Sequence, residues 1–160
     1  TSEAIVDLSE LMRYMLYEAD KDLVPLNKEI DYIKSYIQLQ RLRLADSENV
    51  SLKITGEDRG RAVPPLLFIS FIENAFKYGT DYKGKTFVKI NLDVTDESVF
   101  LNVKNKIGIF KEPTSNSGIG LENIRNQLEL IYPALHKLEV KNDGGNYEVS
   151  LTIYQKKQSL

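Results

Sequence analysis

Pro64-Pro65-Leu66-Leu67-Phe68-Ile69-Ser70-Phe71-Ile72-Glu73-Asn74-Ala75-Phe76-Lys77-Tyr78-Gly79 reads as an apolar helix that carries Glu-Asn on one turn and Lys on the next. The proline pair suits a first turn, where an amide hydrogen would have no helical partner. Gly79 suits the stop. Buried polar groups cost free energy unless they are paired. Glu73, Asn74 and Lys77 therefore ask for partners, and a magnesium–nucleotide complex would supply them. The same residues also fit an exposed polar stripe on an amphipathic helix, and the stretch alone leaves both readings open.

Outward from this helix the apolar pattern changes period. Residues 4–20 repeat Ile5, Leu8, Met12, Met15 and Ala19 at alternate spacings of three and four, which predicts a helix with a narrow apolar seam. Asp22 to Pro25 breaks it. A second helix is expected with Ile30, Ile33, Ile37 and Leu44 on one stripe, and with Glu29 and Asp31 in its first turn, where the dipole favours acids. The pair suits a hairpin, packed on its own domain or in a dimerising bundle. Val50–Ile54, Phe87–Val94, Ser98–Val103, Leu138–Val140 and Tyr147–Ile153 alternate as strands. Thr95-Asp96-Glu97 predicts a hairpin turn, and Asn142 to Gly145 another. Residues 105–117 read as loop. Leu121, Ile124, Leu128 and Ile131 mark a last helix that Pro133 ends. Hairpin-joined strands with helices on one face predict an α+β, two-layer α/β sandwich preceded by a helical segment. From residue 50 the character changes, and the chain is expected to divide into 1–45 and 46–160.

Composition excludes several classes. The 160 residues carry a net charge of -2, so no electrostatic footprint for nucleic acid is present. There are no cysteines, hence neither disulfides nor thiol metal sites. No apolar run reaches the ~20 residues of a transmembrane helix, so these residues are not expected to lie in the membrane.

Three constellations could carry chemistry. Asn74 and Lys77, three apart, share a helix face. The Asn carbonyl oxygen is a hard neutral ligand for magnesium, which takes only one or two protein ligands when it is bound to a nucleotide. Lys77 would offset phosphate charge, and Glu73 would act as a base or hold a water. Ser117-Gly118-Ile119-Gly120-Leu121 lets backbone approach a ligand at a helix start, where free N–H groups attract anions. It is neither a Walker loop nor a dinucleotide fingerprint, and it also fits a plain helix-entry turn. Asn105, in Val103-Lys104-Asn105-Lys106-Ile107, could read an adenine amine from a strand end. The single histidine, His136, has no acidic neighbour in sequence and reads as structural.

Together these segments resemble sensor histidine kinases of the LytS/YehU-like group, within the GHKL ATPases. Glu73 to Gly79 looks like the N box, and Gly118 to Leu128 like the G2 box. Leu8 to Tyr14 and Val24 to Ile30 look like segments just after the phosphoacceptor helix. The resemblance covers nearly the whole chain. It implies a Bergerat-type ATP-binding fold, with a mixed sheet and helices on one face. It implies that Asn74 ligates magnesium, that Lys77 and Tyr78 face phosphate or sugar, and that Gly118, Ile119, Gly120 and Leu121 border the ATP lid. Residues 1–45 would be the tail of the dimerisation and phosphotransfer region, and 46–160 the catalytic domain. The acceptor histidine would lie upstream of residue 1. The whole protein would be an inner-membrane sensor with this portion in the cytoplasm, a homodimer that passes phosphoryl groups to a response regulator.

Two departures touch the base side. The family offers Asp and then Gly where this chain has Asn105 and Ile107, and a threonine that helps hold adenine is replaced around Tyr147. The leading expectation is an ATP- and Mg2+-binding protein-histidine kinase portion. The alternatives are a catalytically degenerate nucleotide-binding or dimerisation module, and an ATPase of the Hsp90–MutL kind with Glu73 activating water.

Overall fold

Alternation in two strands builds the core. The computed structural model describes residues 2–44, 46–107 and 117–155, and of 117–119 the backbone alone. Strands β4 (Val88–Val94) and β5 (Ser98–Lys106) pair antiparallel, and set Ile90 opposite Val103, Leu92 opposite Leu101 and Val94 opposite Val99. Successive side chains point to opposite faces, so these apolar residues make one dry surface. Strand β7 (Asn146–Tyr154) extends the surface with Val149, Leu151 and Ile153, and β6 (His136–Asn142) closes that edge. On the other edge β2 (Val50–Thr55) runs parallel to β4. The order is β2-β4-β5-β7-β6. A parallel pair needs a crossover, and α3 (Leu67–Gly79) lies within it.

Helix α3 buries Leu67, Phe68, Ile69, Phe71, Ile72, Ala75 and Phe76 in the core, and α4 (Ser117–Ile131) lies near β6 and adds Leu128 to the same core. Before them stand α1 (Ser2–Tyr17), the two-residue β1 (Val24–Pro25) and α2 (Leu26–Arg43). Strand β1 pairs with β3 (Ala62–Val63), a miniature sheet too short to leave an alternating pattern. The sandwich, its mixed sheet and its leading helices match the expected fold. Tyr14, Tyr32, Ile33 and Ile37 share one hydrophobic cluster with Phe68 and Leu101. Among the described residues no helix is long and apolar enough to cross a membrane.

Three local expectations are corrected and one is refined. The helix begins at Leu67, after Leu66 in a left-handed turn at φ 63, and not at the prolines. Strand β5 runs on to Lys106, because its pairing with β7 continues through Asn105 and Tyr147. Helix α3 does end at Gly79 as expected, but without the positive φ of a left-handed cap. On α1 the seam of Ile5, Leu8, Met12 and Met15 faces water, with Ile5 67% exposed and Met12 55%, while Leu11 and Tyr14 turn inward. The inward face is set by where α2 lies, which spacing along α1 does not contain.

Candidate functional site

Helix α3 places Glu73, Asn74 and Lys77 on its exposed side and its apolar residues below. The polar triplet is therefore not buried, and the helix is amphipathic. Consecutive residues on a helix point about 100° apart. Glu73 accordingly lies within electrostatic reach of Tyr32 and Tyr36 on α2, while Asn74 turns toward β5 and α4. Apolar surroundings push the Glu73 carboxyl above its ordinary range, although the residue as a whole is exposed. Burial, and secondarily Glu73, pushes the Tyr36 hydroxyl up to about 12. The Lys77 ammonium sits 5.5 Å from the centre of the half-buried Tyr78 ring.

Asn74 borders a small cleft with Phe71, Val103, Asn105, Leu121 and Tyr147. Four separate stretches of sequence meet there. Asn105 is the buried end, at 1% exposure. Its Nδ2 makes only a long bond, 3.4 Å, to the Lys106 carbonyl oxygen. Its Oδ1 is buried with no hydrogen-bond partner among the described residues. Such orphans are rare and costly, and this one asks for a donor. Gly79 brings the elements this close. A methyl group on it would lie 2.9 Å from Asn105 Cβ and 3.1 Å from the Phe87 carbonyl oxygen and Val88 Cγ2.

The donor set fits a nucleotide in chemistry. On β5 the lining residue Asn105 has an acceptor without a partner among the described residues, and a neutral oxygen ligand and a cation stand on α3. The cleft is narrow, with about 10 Å³ of free space, against the roughly 300 Å³ or more of a small-molecule pocket. Leu121 and Tyr147 are among its lining residues, and a base enters only if the cleft widens. Burial raises the Tyr147 hydroxyl, while the Arg125 guanidinium draws it back down.

Each expected residue now has a place. Asn74, Asn105 and Leu121 come together, with Lys77 and Tyr78 one turn further along α3. Gly118, Ile119 and Gly120 form the first turn of α4, and Gly120 has open space around its α-carbon. Residues 108–116 of the expected lid lie outside the described residues. Ile107 is held by its N–H to the Gly145 carbonyl oxygen at 2.9 Å. Sequence reasoning missed Gly79 as a packing residue, and named Tyr147 only as the replacement of a threonine on the base side. Alternation in β7 could have flagged Tyr147, since it shares a face with Val149. His136 donates its Nδ1–H to the Tyr132 carbonyl oxygen at 2.7 Å, which suits the structural role expected of it.

Against known proteins, a family model described as "Histidine kinase" matches residues 1–48. Sensor protein LytS of Staphylococcus saprophyticus is 27% identical over 94% of this chain, and the chain spans 28% of that relative's length. Among solved structures, the histidine kinase domain of the blue-light activated kinase from Erythrobacter litoralis EL346 superposes with a TM-score of 0.55 at 17% identity. That match covers 95% of this chain and 78% of the other. Histidine kinase ThkA in complex with the response regulator protein TrrA gives 0.51 at 13% identity, over 95% and 48% of the two chains.

Proposed function

We propose that this chain, a relative of the LytS sensor kinases that carries the fold of histidine kinase catalytic domains, is the ATP-binding portion of a sensor histidine kinase. Residues 46–160 would form the catalytic domain, and residues 1–45 the tail of a dimerisation and phosphotransfer region. The observation that carries the reading is the cleft itself. It gathers Asn74, Asn105 and Leu121 from three expected motifs, with Asn105 Oδ1 lacking a donor among the described residues.

Mg2+-ATP, when bound, would supply the γ-phosphoryl group for transfer to a histidine outside these 160 residues, and from there to a response regulator. The chain's own part is positioning and charge. Asn105 accepts from the exocyclic amine of the base, and Gly79 keeps it within reach of α3. Asn74 offers its side-chain oxygen to the magnesium ion. Lys77, stacked over Tyr78, offsets phosphate charge. Glu73, with its raised pKa, holds a proton or a water on the side facing α2. The first turn of α4, Gly118 to Leu121, borders the lid. ThkA, solved with the response regulator TrrA, supports a response regulator as the partner. The whole protein would be a membrane-anchored homodimer with this portion in the cytoplasm.

Titration of the chain with a non-hydrolysable ATP analogue and Mg2+ tests the reading. Saturable binding that Asn74→Ala weakens is expected; no binding at millimolar analogue contradicts it. A second reading, a degenerate signalling module, is favoured by one observation, the narrowness of the cleft beside Asn105 and Ile107. It expects no labelling of a longer chain that includes the acceptor histidine.

A further inference from the structure

The fold fixes the position of Asn105 more firmly than the orientation of its amide. Across the ladder its neighbours are Val88 on β4 and Tyr147 on β7. Gly79 lies against it, since a methyl group there would stand 2.9 Å from Asn105 Cβ. At 1% exposure the side chain is enclosed. The last torsion of an asparagine, by contrast, is broad and roughly two-fold. Among the described residues one hydrogen bond resists its rotation, from Nδ2 to the Lys106 carbonyl oxygen at 3.4 Å. Good N–H···O bonds lie between about 2.7 and 3.2 Å, so this one resists weakly. Oδ1 adds nothing, since it has no partner among the described residues.

A half-turn of the amide exchanges oxygen for nitrogen and leaves the shape of the side chain unchanged. An amide both donates and accepts, whereas an ionised carboxylate only accepts. Adenine and guanine differ in that same sense, with an amine donor at position 6 of one and a carbonyl acceptor at position 6 of the other. With its oxygen toward the cleft, Asn105 suits the amine. With its nitrogen toward the cleft, it suits the carbonyl. A carboxylate in its place would accept from the first base and repel the second.

We propose that Asn105 admits guanine beside adenine, so that the chain binds GTP as well as ATP. The proposal rests on the nucleotide reading and widens it from one base to two. Asn105 determines specificity here, while Asn74 and Lys77 meet the same magnesium ion and phosphates in either case. The half-turn gives up the long bond to Lys106 and brings Oδ1 toward that carbonyl oxygen. Adenine therefore keeps a modest advantage.

Calorimetric titration of the full chain with three non-hydrolysable triphosphates, each with Mg2+, tests this. The bases are adenine, guanine and unsubstituted purine, which carries only hydrogen at position 6 and offers the amide no partner. The guanine analogue is expected to bind within about 10-fold of the adenine analogue, the worth of one net hydrogen bond. The purine analogue is expected to bind more weakly than either. Asn105→Asp is expected to lower guanine affinity relative to adenine by about 5- to 150-fold, the range for a base-edge contact. Urea denaturation shows whether that variant folds, and the three titrations of the unsubstituted chain decide the matter if it does not. A guanine analogue weaker by more than 10-fold, or no tighter than the purine analogue, would overturn the proposal. So would an unchanged ratio of the two affinities in folded Asn105→Asp. Binding of the adenine analogue alone overturns the admission of guanine and leaves the nucleotide reading in place; binding of none of the three overturns both.

Discussion

The α3 end of the cleft and its β5 end differ in how much water they meet. Along α3, Asn74 and Lys77 stand in solvent, and a hydrated metal with its phosphates can reach them without any rearrangement of the core. On β5, Asn105 is enclosed by Gly79, Val103 and Tyr147, with one oxygen unpartnered. The wet end keeps its groups satisfied by water and has little at stake in their loss. The dry end carries a standing energetic cost that a ligand would relieve. Recognition at the two ends should therefore respond differently to substitution.

The largest effect is expected at the contact that makes the dry end dry. Gly79→Ala places a methyl group against backbone and Asn105, and overpacking of this kind costs about 1–3 kcal/mol. Urea denaturation should show that loss; an unchanged midpoint would mean that α3 is free to back away. Next, Asn105→Leu should separate stability from binding. Removing a buried unsatisfied oxygen should raise the stability of the unliganded chain by about 1 kcal/mol. Losing the acceptor should weaken the ATP analogue about 10-fold, as for a bond recovered from a desolvated group. If calorimetry and denaturation both fall, the oxygen has an unseen partner and the contrast between the ends dissolves.

The carboxyls extend the contrast to pH. Glu29 has a raised pKa in the folded chain, so the stability it contributes is full below its unfolded pKa and fades as pH rises through the folded value. The advantage of the unsubstituted chain over Glu29→Gln should therefore shrink with rising pH across the range just above ordinary carboxylates. A widening gap in pH-dependent denaturation would reverse the sign. Smaller still is the wet end. Lys77→Gln should weaken the analogue only about 2- to 5-fold, as for an exposed ion pair, and the difference should vanish at high salt. The smallest effect is expected on α1, where Met12→Lys should change stability by under about 0.5 kcal/mol.

Much of this was legible in the sequence, for identifiable reasons. Alternation in 88–94 and 98–103 fixed the central hairpin, because period two has one structural meaning when one face is buried. The Glu73-Asn74-Lys77 spacing allowed the exposed stripe that the structure shows, but could not decide for it, because a helix so apolar elsewhere also fits burial on every side. The α1 seam misled for the converse reason. Ile5, Leu8, Met12 and Met15 repeat more regularly than Leu11 and Tyr14, yet the partner α2 meets the less regular face. Glu29 gave no sign of its bond to Tyr14, because the two lie on different helices, far apart in the chain. Gly79 looked like punctuation and is a packing residue, a distinction that lies in Asn105 and Phe87 and not in the glycine.

If Asn74 and Asn105 border one nucleotide site, both must sense the same ligand. Side-chain amide resonances of both residues, followed by NMR during titration with a Mg2+–ATP analogue, decide this. Both are expected to shift along a single saturation curve, the Leu121 amide to move with them as the cleft opens, and Asn74→Ala to shift the curve to higher concentration. Saturation that moves Asn74 and leaves Asn105 in place would contradict a shared site, because the dry end would then have no part in binding.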